Sequence, residues 1–230
     1  MIHRDQQCIL WSRGEQLLNE QIPELASVVL ESEGAFVLDG EVLAWDFESD
    51  VVRSFSDLQL RLGRKKVTAE IQESVPIIFM AYDLLEEGGV DVRSFGTFER
   101  RKRLERLFAS LGSPLFRLSP TLEFVGGWDA IAAERLKSRE KRVEGLMLKH
   151  GESAYGVGRK KGTWWKWKVE PYTVDAVLVY AQQGHGRRAG VFSDYTFSIW
   201  KGDTLVPFCK AYSGLSDVEM KSVDRWIRSN

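Results

Sequence analysis

Three mostly apolar runs frame this chain: FVLDGEVLAW (36–45), VPIIFMAYDLL (75–85) and VEGLMLKH (143–150). Each has the length and alternation of a short strand. TFERRKRLERLFASL (97–111) and WDAIAAERLKSREK (128–141) carry apolar residues at helical spacing and read as helices. Strands and helices mix without a regular βαβ beat. The pattern therefore predicts an α+β fold, antiparallel sheets flanked by helices, rather than a doubly wound parallel sheet.

After Pro171 the character changes. VDAVLVY, VFSDYTFSIW and TLVPFCKAY are β-rich runs separated by glycine-containing loops. A last helix comes next, opened by a capping box in which Ser216 precedes Glu219 by three positions. The expected organisation is one domain over 1–171 and a shorter β-rich unit over 172–230.

The chain has 230 residues, 43% hydrophobic and 28% charged, which is ordinary globular composition. Cys8 and Cys209 form neither a disulfide framework nor a zinc site, so a reducing, cytoplasmic setting is expected. No apolar run approaches a membrane span, and MIHRDQQCILW does not read as a signal peptide. A net charge of −1 gives no global attraction to polyanions. The run from Arg159 to Lys168, however, holds five basic residues and no acid, and RLGRKK (61–66) and ERRKRLER (99–106) are further basic blocks. In the last block Leu104, Leu107, Phe108 and Leu111 recur at helical spacing, so its charges are expected to fill the outer face of a helix.

Several residues have the chemistry of a site. Alternation along FVLDGEVLAW puts Asp39 and Glu41 on one strand face, and paired carboxylates need a cation or a donor between them. They suit a magnesium or ribose-hydroxyl site; equally, DG between alternating apolar residues is a strong hairpin signal, and taken alone the hairpin is favoured. In KGTWWKWKVEP (161–171) the same alternation puts Trp164, Lys166 and Lys168 on one face and Trp165, Trp167 and Val169 on the other. Two ammonium groups on a tryptophan-stiffened strand suit a phosphate, although lysines also guard exposed sheet edges. Glu144 begins an otherwise apolar strand, as a metal ligand or as a solvated strand end, and Lys149 lies on the same strand. Tyr82 is either a stacking ring or a core tyrosine. GHGRRAG (184–190) reads as a loop that faces DNA through Arg187 and Arg188.

The order of these pieces adds what none carries alone. SRGEQ (12–16), LDGEV (38–42), FMAYDLL (79–85), EGLMLK (144–149) and WWKWK (164–168) resemble, in order and at fitting distances, the motifs of ATP-dependent DNA ligases of bacterial type, in the covalent nucleotidyltransferase superfamily. GHGRRAGVFSDYTFSIW and then LVPFCKAYSGL are similar to the opening of that family's OB-fold domain. The resemblance implies an adenylation domain over 1–171 and part of an OB-fold β-barrel over 172–230. It implies a lysine that takes AMP from ATP and passes it to the 5′-phosphate of a nick in duplex DNA, after which the 3′-hydroxyl attacks. RNA ligases and capping guanylyltransferases share the motif order, and a non-catalytic nucleotide- or DNA-binding remnant is a further reading; the GHGRRAG…DYTF tail favours DNA ligase.

Carried over residue by residue, the resemblance assigns Arg13 to the nucleotide or the nick phosphate. It gives Glu41 to a ribose hydroxyl or a metal, with Asp39 in support, and Tyr82 to stacking on adenine. Glu144 would help hold magnesium or manganese, and Lys166 and Lys168 would contact the α-phosphate. The family acts as a monomer with no membrane association. Its nucleophile lies in a Lys-x-Asp-Gly motif that this sequence does not contain. The basic closing motif of the OB domain is missing as well. The chain is therefore expected to be an incomplete ligase, unable to adenylate itself.

Overall fold

The computed structural model describes residues 1–158 and 160–230. Arg159, the first residue of the basic run over 159–168, lies outside the described residues. The chain divides into two compact units, Met1–Val169 and Glu170–Asn230.

The first unit begins with β1 (Ile2–Arg4), β2 (Gln7–Ile9), α1 (Pro23–Glu31), β3 (Phe36–Asp46), β4 (Val51–Val52), α2 (Phe55–Leu62) and α3 (Ala69–Ser74). It continues with β5 (Ile77–Glu87), β6 (Val90–Asp91), α4 (Thr97–Leu111), β7 (Phe116–Leu118), α5 (Gly127–Leu136), β8 (Gly145–Lys149) and β9 (Trp164–Lys168). Seven strands form one sheet in the order β2-β1-β3-β5-β6, with β4 on β3 and β7 on β5. All pairs in it are antiparallel except β5–β7, whose strands run parallel because α4 lies in the connection between them. β8 and β9 make a separate two-stranded sheet.

β3 and β5 are the long central strands. Their alternate residues Phe36, Leu38, Ala44, Ile77, Phe79, Ala81 and Leu84 join Leu25 and Val29 of α1, Leu58 of α2 and Leu104 of α4 in one core. Burial of that apolar surface is what holds the helices to the sheet. The DG dipeptide expected to open a hairpin does not: β3 runs unbroken through Asp39 and Gly40. The reason lies in the partner strand. β5 offers matching core residues on both sides of the dipeptide and absorbs the mismatch as register shifts beside Tyr82 and Leu85. Gly40 is needed here for a different reason, since a Cβ would lie 2.5 Å from the Phe79 ring and 2.6 Å from the Met80 carbonyl.

Two further expectations are corrected. The helix expected over 128–141 ends at Leu136. Residues 137–142 are all polar or charged, so continuing the helix would bury nothing, and Lys137 and Lys141 instead turn back onto Glu134. The basic blocks are also not wholly outer surface. Arg100 and Arg61 are both fully buried. Arg61 binds both carboxylate oxygens of Glu24, at 2.6 and 2.7 Å, and donates to the carbonyls of Gln21 and Val75. Arg100 extends the apolar row of α4 inward by one turn and meets Asp83.

The second unit holds β10 (Val177–Gln183), a single 3₁₀ turn at Gly186–Arg188, β11 (Phe192–Lys201), β12 (Thr204–Ala211) and α6 (Asp217–Ser229). Its strands form an antiparallel sheet in the order β10-β11-β12, with no closed barrel. The expected capping box is present: the Ser216 side chain accepts from the Glu219 N–H while the Glu219 carboxylate accepts from the Ser216 N–H. Asp224 of α6 accepts from the Phe192 N–H at 2.9 Å and pins the helix to β11.

Removing the anion from a buried pair strands a cation away from water. Asp83→Ala should therefore lower the unfolding free energy by about 3–5 kcal/mol. Truncating the half-exposed Glu105 of α4 should change it by about 0.5 kcal/mol or less. Urea denaturation of the two variants checks this, and equal small effects would contradict it.

Candidate functional site

Because Phe36, Leu38 and Ala44 of β3 enter the core, Asp39 and Glu41 turn to the other side. Asp39 is held by two phenols from distant parts of the chain. Tyr82 donates to one carboxylate oxygen at 3.1 Å, and Tyr155 donates to the other at 2.6 Å. Burial raises the pKa of both phenols, and the Asp39 carboxylate beside them adds to the effect. Glu41 is exposed, and its charge also helps keep Tyr82 protonated.

Asp83 stands directly opposite Asp39 in the β3–β5 register. Like charges so placed repel, and each carboxylate here has its own partners. Asp83 is 2% exposed. Arg100 of α4 grips it bidentately through Nε at 2.7 Å and Nη2 at 3.0 Å. Lys149 of β8 comes within 3.5 Å of the same carboxylate and donates to the Tyr82 carbonyl at 3.2 Å. Burial pushes the Lys149 ammonium below the usual lysine value, with Asp83 opposing. The same ammonium lies 4.0 Å from the Trp164 ring centroid and 5.3 Å from that of Tyr82.

Trp164 opens β9, and in the register of the hairpin it faces Lys149, while Lys166 faces Met147 and Lys168 faces Gly145. Gly145 is obligatory: its φ of +147° is unsuited to L side chains, and a Cβ would collide with the Trp167 carbonyl. On the other face of β9, Trp167 packs edge-on against Trp128 of α5 at 6.1 Å and under the Arg135 guanidinium at 5.0 Å. Trp165 on that face is 48% exposed, so the tryptophan packing expected behind the lysines comes from Trp167 alone. The indole N–H of Trp164 is buried without a hydrogen-bond partner.

Lys166 and Lys168 thus share a strand face with Trp164, which touches Tyr155 edge-on at 5.5 Å. Tyr155 in turn holds Asp39. The carboxylate wall of β3 and the ammonium wall of β9 are therefore joined through one chain of contacts. Such an arrangement can take a ligand with hydroxyl donors at one end and an anion at the other, with aromatic faces between.

Glu144 is exposed and bonded to Lys168 at 2.6 Å, which lowers its pKa; the Lys166 charge contributes. Among the described residues no cluster of three or more His, Cys, Asp or Glu could hold a metal ion. Glu41 and Glu144, the expected ligands for magnesium or manganese, therefore do not form a protein-only cage, and no chemical step is assigned to a divalent ion. Arg13 is exposed on a turn closed by the Trp11–Leu17 bridge. In the second unit Arg187 and Arg188 lie 3.6 and 3.9 Å from Asp217 at the start of α6. No described helix is long and apolar enough to cross a membrane.

Among the residues missed by sequence reasoning are Arg100 and Tyr155. Arg100 left a signal, since it precedes Leu104 by one helical turn on the buried row. Tyr155 left none: it sits in an irregular connection, 116 residues from its carboxylate.

A family model described as an ATP dependent DNA ligase domain matches residues 1–168. A probable DNA ligase of Koribacter versatilis is 34% identical over 96% of this chain and 42% of its own length. A DNA ligase of Natronomonas pharaonis is 32% identical over 92% of this chain and 37% of its own length. The chain thus spans less than half the length of these curated relatives. Among solved structures, mycobacterial DNA ligase D complexed with ATP and MES matches 99% of this chain and 67% of that one, at 25% identity and a TM-score of 0.56. A structure from work on the DNA binding of Lig E DNA ligases, at 18% identity, covers 96% of this chain and 76% of that one with a TM-score of 0.61, a likeness of fold.

The two phenols give a pH test. Their folded-state pKa values lie above the ordinary tyrosine value of 10.0, so their contribution to stability is present below that pH and is lost as pH rises through the folded values. In a spectrophotometric titration of the six tyrosines, Tyr82 and Tyr155 should be among the last to ionise. Tyr155→Phe should remove one late phenolate and weaken the alkaline loss of stability. Six tyrosines ionising together near the ordinary value, in folded protein, would contradict the clamp on Asp39.

Proposed function

The chain belongs to the ATP-dependent DNA ligase domain family, and on that premise we propose that it forms the nucleotide-holding part of an ATP-dependent DNA ligase. The reaction is nick sealing. A lysine of the enzyme attacks the α-phosphorus of ATP and expels pyrophosphate; AMP passes to the 5′-phosphate of a nick in duplex DNA; the 3′-hydroxyl then displaces AMP as the phosphodiester forms. Support comes from one observation above all: the Lys166–Lys168 face of β9 is linked through Trp164 and Tyr155 to the carboxylate of Asp39.

Each residue has a part. Asp39 and Glu41 accept hydrogen bonds from ribose hydroxyls. Tyr82, its hydroxyl tied to Asp39, offers its ring to the adenine. Lys166 and Lys168, exposed on one face of β9, bring two positive charges to the α-phosphate, and cations so placed offset charge on a transferring phosphoryl group. Arg13, Arg187 and Arg188 meet backbone phosphates of the nicked duplex, a contact that salt would weaken. The named relatives are DNA ligases, which favours DNA over RNA as the substrate.

Titration calorimetry of the chain with AMP and ATP tests the holding role. Reversible binding is expected, and Lys166→Ala and Lys168→Ala should each weaken it by about ten- to a hundredfold, the worth of a hydrogen bond to a charged group. Incubation with α-labelled ATP should leave no covalent label, because the sequence has no Lys-x-Asp-Gly tetrapeptide. Absence of nucleotide binding, or stable labelling of one of its lysines, would contradict the reading.

A further inference from the structure

The two walls of the site belong to different sheets, and among the described residues no backbone pairing connects the β8–β9 hairpin to β3 or β5. Their spacing is therefore set by side chains that cross between them and by the anchoring of the connection between β8 and β9. Tyr155, in the connection between β8 and β9, is placed to set it. Its hydroxyl donates to Asp39 at 2.6 Å, and its ring meets Trp164 edge-on at 5.5 Å with an interplanar angle of 87°. The connection that carries it is pinned to the start of α4. Phe98 N–H donates to the Gly151 carbonyl at 3.0 Å, and Arg100 Nη1 and the Thr97 hydroxyl donate to the Ser153 carbonyl at 3.0 and 3.1 Å. Tyr155 N–H itself donates to the Arg93 carbonyl at 2.8 Å.

We propose that Tyr155 is a positioning residue for nucleotide phosphate recognition: it straps the hairpin to β3 and so fixes the distance between Lys166 and Lys168 on one wall and Asp39 on the other. The strap rests on the nucleotide-holding reading only for the identity of the ligand. A phenol fits the task because its ring packs on Trp164 while its hydroxyl, at the far end of a rigid group, reaches the opposite wall. Lys149 makes the other crossing, to Asp83, but it ends beneath Tyr82 and leaves Asp39 untouched. Without the Tyr155 hydroxyl, Asp39 keeps Tyr82 as its one side-chain hydrogen-bond donor among the described residues, and the lysine face keeps its ring contacts but loses its registration against the carboxylates.

The test compares AMP with adenosine, since only AMP engages both walls. In the unsubstituted chain AMP should bind more tightly than adenosine. Tyr155→Phe keeps the ring and should weaken AMP about tenfold while leaving adenosine within about twofold, so that the phosphate no longer adds affinity. A merely structural role would weaken both ligands alike. Asp39→Ala, which removes the acceptor, combined with Tyr155→Phe should cost AMP binding no more than the larger single effect, because either change alone already breaks the link. Hydrogen exchange of the unliganded chain reads the strap without nucleotide: Tyr155→Phe should speed exchange at the amides of β8 and β9 and leave those of β3 and β5 unchanged. If the unsubstituted chain binds neither ligand, the functional reading fails and exchange alone decides the strap. Unchanged exchange in the hairpin, or equal losses for AMP and adenosine, overturns the proposal.

Discussion

A carboxylate taken out of water must be met by cations, and Asp83 draws them from two elements. Desolvating such an ion costs several kcal/mol, so the structure is stable only with the counter-charges in place. Arg100 brings α4 over β5 at Asp83, and Lys149 brings the β8–β9 hairpin to the same point. Arg100 then holds the Ser153 carbonyl with its remaining amino group, which carries the next residues toward Tyr155. One buried charge thus gathers the helix, the hairpin and the connection that face the central sheet.

That gathering divides the labour between buried and exposed charge. Asp39 and Asp83 sit opposite each other in the sheet, one held by phenols and the other by guanidinium and ammonium. These partners are shielded and fixed. Lys168 and Glu144, by contrast, pair at the surface, where a pair in water contributes little and exchanges readily. In the proposed role, an arriving phosphate would replace Glu144 as the partner of Lys168 without dismantling anything beneath. The framework is rigid where it sets distances and exchangeable where the proposed ligand would enter.

The parts of this arrangement that were legible in the sequence are those governed by period. α4 spans the expected residues because its apolar row repeats at helical spacing, and β3 and β5 arise from alternation. The hairpin reading of Asp39–Gly40 failed because local turn preference competes with a long partner strand, and pairing along β5 prevailed. α5 stops early because its sequence offers no apolar face beyond Leu136. Buried arginines were hidden by their type: Arg61 and Arg100 look like surface charge until their carboxylates, far away in sequence, are placed beside them. Tyr155 belongs to no periodic pattern, and only the folded chain shows that it crosses from one wall to the other.

The role of the two walls turns on where a nucleotide phosphate sits. A crystal structure of the chain with AMP tests this most directly. The expected result places the phosphate oxygens within hydrogen-bond distance of the Lys166 and Lys168 ammonium groups, with the ribose against Asp39 and Glu41. AMP bound elsewhere, or bound here with both lysines turned to solvent, would contradict it.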